Sequence, residues 1–271
     1  MCVMAASRDI VMLYLSMELV GLTSYVMAGF MRASLRSTEA SLKYVIFGAV
    51  SSGIMLYGLS LLYGLTGATT FAGIREALAA GTVDKFALLV VTILLFVGLG
   101  YKIAAVPFHF WCPDVYEGAP TPVAALFSVG PKAAGFALMI RFFYSTFLSS
   151  PAVAGGAGAA GASAATAGVA AAGAGALVGP TDWPLLVAVL SVVTMTYGNL
   201  VALRQTNVKR LLAYSSIAHV GYLLMGLLLL TRAGLAAILF YLFVYALMNL
   251  GAFLFVVALN NRLRSEEIAD Y

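Results

Sequence analysis

Lys102 lies near the end of an apolar run, Phe86 to Val106, that is long enough to cross a bilayer, and Pro107 follows five residues later. A lysine at membrane depth costs roughly 2.5–3.5 kcal/mol on insertion scales, so a chain that keeps one there has a use for its charge. Pro107 lacks a backbone donor and disrupts a helix. The polar stretch His109 to Gly118 comes next. A charge beside a broken helix inside a membrane is the layout of an ion or proton path. Glu18, Lys43, Lys132 and His219 also fall within apolar runs, and His109 lies just past the proline. Helical spacing puts Tyr14, Gly21, Leu22 and Tyr25 on the face of Glu18. Lys132 follows Pro131, which predicts a second lysine next to a kink. His219 closes the series Tyr214 to His219, which also holds Ser215 and Ser216.

Burial drives a lysine toward its neutral form, and an opposite charge nearby pulls it back. A lysine that alternates between an acidic partner and water therefore loads and releases a proton. Lys102 and Lys132, linked to a histidine through water, would make a relay across the midplane. Each residue also has a plainer reading. Lys102 with Glu18 could be a static ion pair that fixes packing, and Lys132 could serve the same purpose. Lys43 lies close enough to a span end to snorkel outward. His219 could be a satisfied hydrogen-bonding residue, and His109 could tie down the broken helix. Arg141 and Tyr144, near a span end, read as interfacial anchors, while Asp114 and Glu117 read as holding a loop together.

The elements that must position these groups are seven spans, at Asp9–Met31, Thr38–Tyr63, Phe86–Val106, Thr121–Phe147, Trp183–Leu203, Lys209–Leu230 and Ala233–Leu259. Most connections are short, so sequential neighbours are expected to pack antiparallel. Gly21, Gly29, Gly48, Gly53 and Gly58 would let helices approach closely. The Ala/Gly-rich stretch Ala152–Val178, within 148–182, reads as a flexible linker, or failing that a short surface helix. Alternating spans put Arg32, Arg36, Arg204, Lys209, Arg210, Arg262 and Arg264 on one side, against Arg8, Arg75, Lys85 and Arg232 on the other. The excess assigns the first group to the cytoplasm.

Composition agrees with this class. The 271 residues are 62% hydrophobic and 10% charged, with mean hydropathy +1.00, which describes an all-α polytopic membrane protein. The net charge of +4 resides at span ends, which argues against nucleic-acid binding. Cys2 and Cys112 stand far apart, without the spacing of a zinc site, a cluster or a disulfide framework. Met1 to Asp9 has no basic stretch leading to a cleavage site, so the spans themselves are expected to drive insertion.

The run Lys102 to Val123, with Pro107, His109, Trp111, Asp114, Glu117 and Gly118, resembles the signature of the antiporter-like membrane subunits of respiratory complex I. Tyr14 to Val26, Glu39 to Tyr44 and Asn199 to Tyr222 add to the likeness, which covers nearly the whole chain outside the Ala/Gly stretch. The resemblance implies a fold of inverted five-helix repeats, each with one discontinuous helix. On that footing, residues 1–147 form the first-repeat bundle, broken near 102–113. Residues 183–260 form an incomplete second repeat and 261–271 a polar end. The chain is then expected to be a fragment, starting at the tail of the family's fourth helix and stopping before its twelfth.

The same resemblance gives Lys102, Glu18 and Lys132 the main proton-translocating roles, with Lys43, His109 and His219 beside them. Where the family carries threonine, Cys112 stands here. The implied activity is proton translocation in NADH:quinone oxidoreductase, driven by quinone reduction elsewhere. No cofactor is expected on this chain, since NADH, flavin, iron–sulfur clusters and quinone belong to other subunits. The expected partners are other membrane subunits of the complex and the lipid of the cell inner membrane. A cation/proton antiporter, a membrane-bound hydrogenase and a structural membrane scaffold remain as alternatives.

Overall fold

A helix in lipid must satisfy its own backbone and find partners for its ends. Short polar residues do this at six helix starts. Asp9 accepts from Val11 N at 2.7 Å to open α2, Ile10–Ala28. Ser34 opens α3, Leu35–Thr66, and Asp84 opens α5, Lys85–Ile103. Asn207 caps two N–H groups of a later helix, Val208–Leu228, and Thr231 starts Arg232–Leu263. These caps explain where the observed bounds depart from the hydropathy reading, since Ser34 starts α3 three residues before Thr38.

The computed structural model describes residues 1–81, 83–147, 183–229 and 231–270. The Ala/Gly-rich stretch read as a linker lies outside the described residues. Those that are described form ten α-helices and no strand, only isolated bridges at Asp9–Thr70 and Asn207–Glu267. In chain order the remaining helices are α1 (Cys2–Ala6), α4 (Phe71–Ala79), α6 (Trp111–Gly118), α7 (Thr121–Phe147), α8 (Trp183–Ala202), α9 (Val208–Leu228) and α10 (Arg232–Leu263). Seven helices, α2, α3, α5 and α7 to α10, are long and apolar enough to cross a membrane. Their outward stripes are apolar too: Val11, Leu15, Leu19, Leu22 and Val26 of α2 are all more than half exposed. A surface of that kind suits hydrocarbon.

Two helices do not follow from hydropathy alone. Helix α4 is too short to span and buries Phe71, Ile74 and Leu78 along one face. Helix α6 occupies most of the polar stretch read as a loop, so Asp114 and Glu117 are helical residues. The break before α6 begins earlier than Pro107. Helix α5 ends at Ile103, and Ala104 takes φ 62°, a left-handed conformation that alanine adopts only at a cost. The residue ahead of a proline avoids the helical region, so the helix must stop short of Val106. Val106–Pro107 is a cis peptide.

Glycine lets helices meet where expected at Gly48 and Gly58. A Cβ on Gly48 would collide with the Tyr25 hydroxyl, and one on Gly58 would lie 2.8 Å from Leu94 Cβ. Gly53 faces open space and makes no such approach. Gly198 and Gly221 do this for α8 against α9, at Ala218 and Met195.

The basic residues separate as the alternation requires. Arg36, Lys209 and Arg264 line one cavity of about 580 Å³, together with Met31 and Thr121 from the end of α2 and the start of α7. Arg8 and Arg75 line another at the opposite ends of those two helices.

Candidate functional site

The break sets the first cluster. Lys102, in the last turn of α5, is 4% exposed, and its Nζ donates to the Met17 carbonyl of α2 at 3.3 Å. A cation at a helix C-terminus also meets the negative end of the helix dipole. Glu18, the next residue of α2, accepts from the Ser52 hydroxyl of α3. Lys102 and Glu18 interact electrostatically. No ion pair of 4.0 Å or less joins them, which corrects the static-pair reading. The Glu18 face is also less uniform than its spacing suggests, because Glu18 is half-buried and Leu22 points outward. The main-chain groups released by the break are met from several sides. Trp111 Nε1 donates to Tyr101 O at 3.0 Å, and Val106 N donates to Thr194 Oγ1 of α8 at 3.1 Å.

The second cluster surrounds Lys132, which is 1% exposed and donates to Ser216 Oγ of α9 at 2.7 Å. Its ammonium also lies 5.7 Å from the centre of the Tyr116 ring. One turn along α9, His219 Nδ1 is 2.6 Å from Tyr241 Oη of α10, and the Tyr245 ring stands 5.1 Å from the imidazole. Tyr245 Oη in turn donates to Ser128 O at 3.2 Å, beside the turn that Pro131 interrupts. Cys112 of α6 is fully buried as a free thiol next to this group. The Tyr116 hydroxyl lies among Cys112 and Ser216 without a hydrogen bond of ordinary geometry.

Helix α7 joins the two clusters. Gly135 is three residues beyond Lys132, and a Cβ there would lie 3.7 Å from Lys102 Cγ and 2.8 Å from Ile103 Cγ2. The stem of Lys102 therefore crosses α7 one turn from Lys132.

The other two expected residues stand apart. Lys43 forms ion pairs of 2.7 Å with Glu39 and with Asp114 and remains 39% exposed. Arg210 of α9 closes that group, with Nη1 2.8 Å from both Asp114 and Glu117. Lys43 thus belongs to a polar mouth about 13 Å along α3 from Ser52, at 1.5 Å rise per residue. His109 is buried against the edge of Tyr197, and its Nδ1 has no hydrogen-bond partner.

Several partners were not singled out from sequence. Lys209 and Arg210 read only as flanking charges, yet Lys209 is buried and pairs with Glu266 at 2.8 Å. Ser52 and Tyr245 looked like ordinary span residues. The spacing of Ser216 and His219, one helical turn apart, was the one signal available for the second cluster. Arg141 donates to Ala6 O at 2.8 Å, and the Tyr144 hydroxyl is buried without a partner, so Tyr144 is no interfacial anchor. Among the described residues, no three His, Cys, Asp or Glu side chains gather as a metal site needs.

Two matches to the family described as NADH:quinone oxidoreductase/Mrp antiporter, TM, cover residues 7–178 and 159–271. The chain belongs to this family. It is 48% identical over its full length to NADH-quinone oxidoreductase subunit N 2 of Chloroherpeton thalassium, covering 49% of that protein. Over its full length it is also 50% identical to subunit N of an Anaeromyxobacter species, covering 51%. The chain thus spans about half the length of the curated relatives it matches. Among solved structures, it is similar to a chain of respiratory complex I from Thermus thermophilus with bound aureothin. The TM-score there is 0.69 at 33% identity, over 94% of this chain and 48% of the other. A chain of the archaeal membrane-bound sulfane sulfur reductase gives 0.76 at 26% identity, over 98% and 48%. For an NADH:quinone oxidoreductase/Mrp antiporter member, the discontinuous α5–α6 pair and the buried lysines are the features to explain.

Proposed function

We propose that this chain carries protons in a membrane subunit of an NADH:quinone oxidoreductase of the complex I type. The observation that carries the reading is the placement of two buried lysines, Lys102 at the break of α5 and Lys132 beside Pro131 of α7, with the Lys102 stem passing Gly135 one turn from Lys132. Likeness to subunit N proteins at 48–50% identity supports it.

Lys102 is the central carrier. Glu18 stands near enough to bias its charge and far enough to leave its proton free. A proton released from Lys102 passes through water to Lys132 and leaves by way of Ser216 and His219. His109 lines the break, and Lys43 belongs to the polar mouth. Redox chemistry is left to other subunits, so the chain itself holds no cofactor, and its partners are the neighbouring membrane subunits. The subunit resides in the cell inner membrane, with the side of Arg36, Lys209 and Arg264 toward the cytoplasm.

The test is proton uptake per NADH oxidised in membrane vesicles carrying Lys102→Ala in the full-length subunit, with complex assembly checked in parallel. Intact assembly with pumping and quinone reduction falling together supports the carrier role. Normal levels of both refute it. Fold likeness to the sulfane sulfur reductase favours one second reading, a proton- or cation-moving subunit of another respiratory membrane complex. Co-purification without NADH-oxidising flavin and iron–sulfur subunits would select it.

A further inference from the structure

At the end of the bundle away from the polar mouth, Arg8, Arg75 and Arg141 line a cavity of about 580 Å³. They come from three different elements: the residue before the α2 cap, the middle of α4, and the last turns of α7. Among the described residues, none of the three has a carboxylate within ion-pair distance. Asp9, next to Arg8, is engaged in capping α2, and Glu76, next to Arg75 on α4, does not line the cavity. No acidic side chain lines the cavity, whereas Thr70 and Ser145 add hydroxyl groups. Arg141 uses one N–H on Ala6 O, and its guanidinium keeps others free.

Three unpaired guanidinium groups around one concavity repel one another unless an anion sits among them. Their planar forks suit phosphate oxygens. A second observation says what carries the phosphate. An apolar groove of about 350 Å³, lined by Val11, Leu15, Leu56, Leu59 and Tyr63, opens between α2 and α3 at the same end. The paired segments at Arg8–Val11 and Thr69–Ala72 wall both the cavity and the groove. Arg141 lies about 9 Å along α7 from Phe147, near the end of a spanning helix.

The geometry points to a site for one anionic phospholipid, its phosphate held by Arg8, Arg75 and Arg141 and an acyl chain laid in the groove between α2 and α3. This site is at the opposite end of the molecule from Lys43 and Asp114 and plays no part in the relay.

The full-length subunit is incubated with mixed micelles of phosphatidylglycerol and phosphatidylcholine, and retained lipid is counted by native mass spectrometry. One phosphatidylglycerol is expected to remain in preference to phosphatidylcholine. Arg75→Gln, on a partly exposed helix face, is expected to lower its retention about fivefold, and Arg75→Lys to restore part of it. Arg36→Gln, at the other end, should leave retention unchanged. Unchanged retention in Arg75→Gln, or an equal loss in Arg36→Gln, overturns the proposal. So does displacement of the lipid by millimolar inorganic phosphate, which would make the pocket a site for the free ion. A photoactivatable phosphatidylglycerol tests the wild-type protein directly. It should label peptides holding Val11 or Phe71, and labelling confined to other regions overturns the site without any variant.

Discussion

Lys132 and Ser216 are joined at 2.7 Å in a place where neither has contact with bulk water. Ser216 Oγ at the same time donates to Ala213 O at 2.6 Å, so the hydroxyl hands its own proton to the backbone of α9 and keeps a lone pair for the ammonium. The buried amine thus has one fixed acceptor from another helix and an aromatic face beneath it.

Ser216→Ala removes that acceptor and leaves the amine without a hydrogen-bond partner, at a cost of about 1–3 kcal/mol. The variant is expected to melt at lower temperature in detergent and to pump fewer protons per NADH. Ser215→Ala, one position away, serves as the comparison. Equal behaviour of the two would show that the Lys132–Ser216 contact is incidental.

Gly135→Ala places a methyl group 2.8 Å from Ile103 Cγ2 and against the Lys102 stem. Overpacking of this kind typically costs 1–3 kcal/mol. Reduced proton uptake is expected in vesicles, because the added methyl pushes on Ile103 and so moves the end of α5, which carries Lys102, against α7. Gly53→Ala faces open space and should be silent in the same assay. Full activity in Gly135→Ala would mean that the crossing at α7 does not set the relay.

Two lysines near the same surface should respond differently to neutralisation. Lys209 is buried and pairs with Glu266, which is 22% exposed, so Lys209→Met leaves a partly buried carboxylate unpaired, at a cost below the about 3–5 kcal/mol of breaking a fully buried pair. Lys43 is 39% exposed, and its pairs with Glu39 and Asp114 are screened, so Lys43→Met should cost about 0.2–1 kcal/mol. Thermal unfolding of the purified subunit ranks the two, and the reverse order would contradict the burial argument.

Arg210→Gln removes the cation shared by Asp114 and Glu117 while leaving Lys43 on Asp114. The two acids, one turn apart on α6, then repel, and α6 should loosen. Faster amide hydrogen exchange is expected in residues 111–118, with little change in α8. Uniform protection across α6 would show that the ion pairs do not hold that helix.

The seven spans were legible because a bilayer forces long apolar runs, and little else in the chain competes with that signal. Lys102 and Lys132 were legible for the same reason, as charges where charge is costly. What escaped depends on distances between helices. Nothing in the sequence says that Glu18 faces Ser52 rather than pairing with Lys102. Nor does it show that Lys209 turns inward to Glu266, since a basic residue at a span end reads as a topology signal. Helix α6 escaped because Pro113, Asp114 and Gly118 look like loop residues, while their fellow residues Trp111, Val115 and Tyr116 bury a helical face. His109 was placed correctly at the break, but its lack of a partner for Nδ1 is visible only in three dimensions.

The interruption at Ala104 has a further meaning. In an unbroken helix every carbonyl is committed to an N–H four residues on, so an ammonium beside it finds no dipole free to turn toward it. Where α5 stops, the last carbonyls of the helix, the Met17 carbonyl and the hydroxyl of Thr194 are gathered within a region that is otherwise hydrocarbon. The backbone there serves as a fixed solvent. A charge that would be prohibitive elsewhere at the same depth becomes tolerable at that one point, because the fold carries its own preorganised dipoles into the membrane.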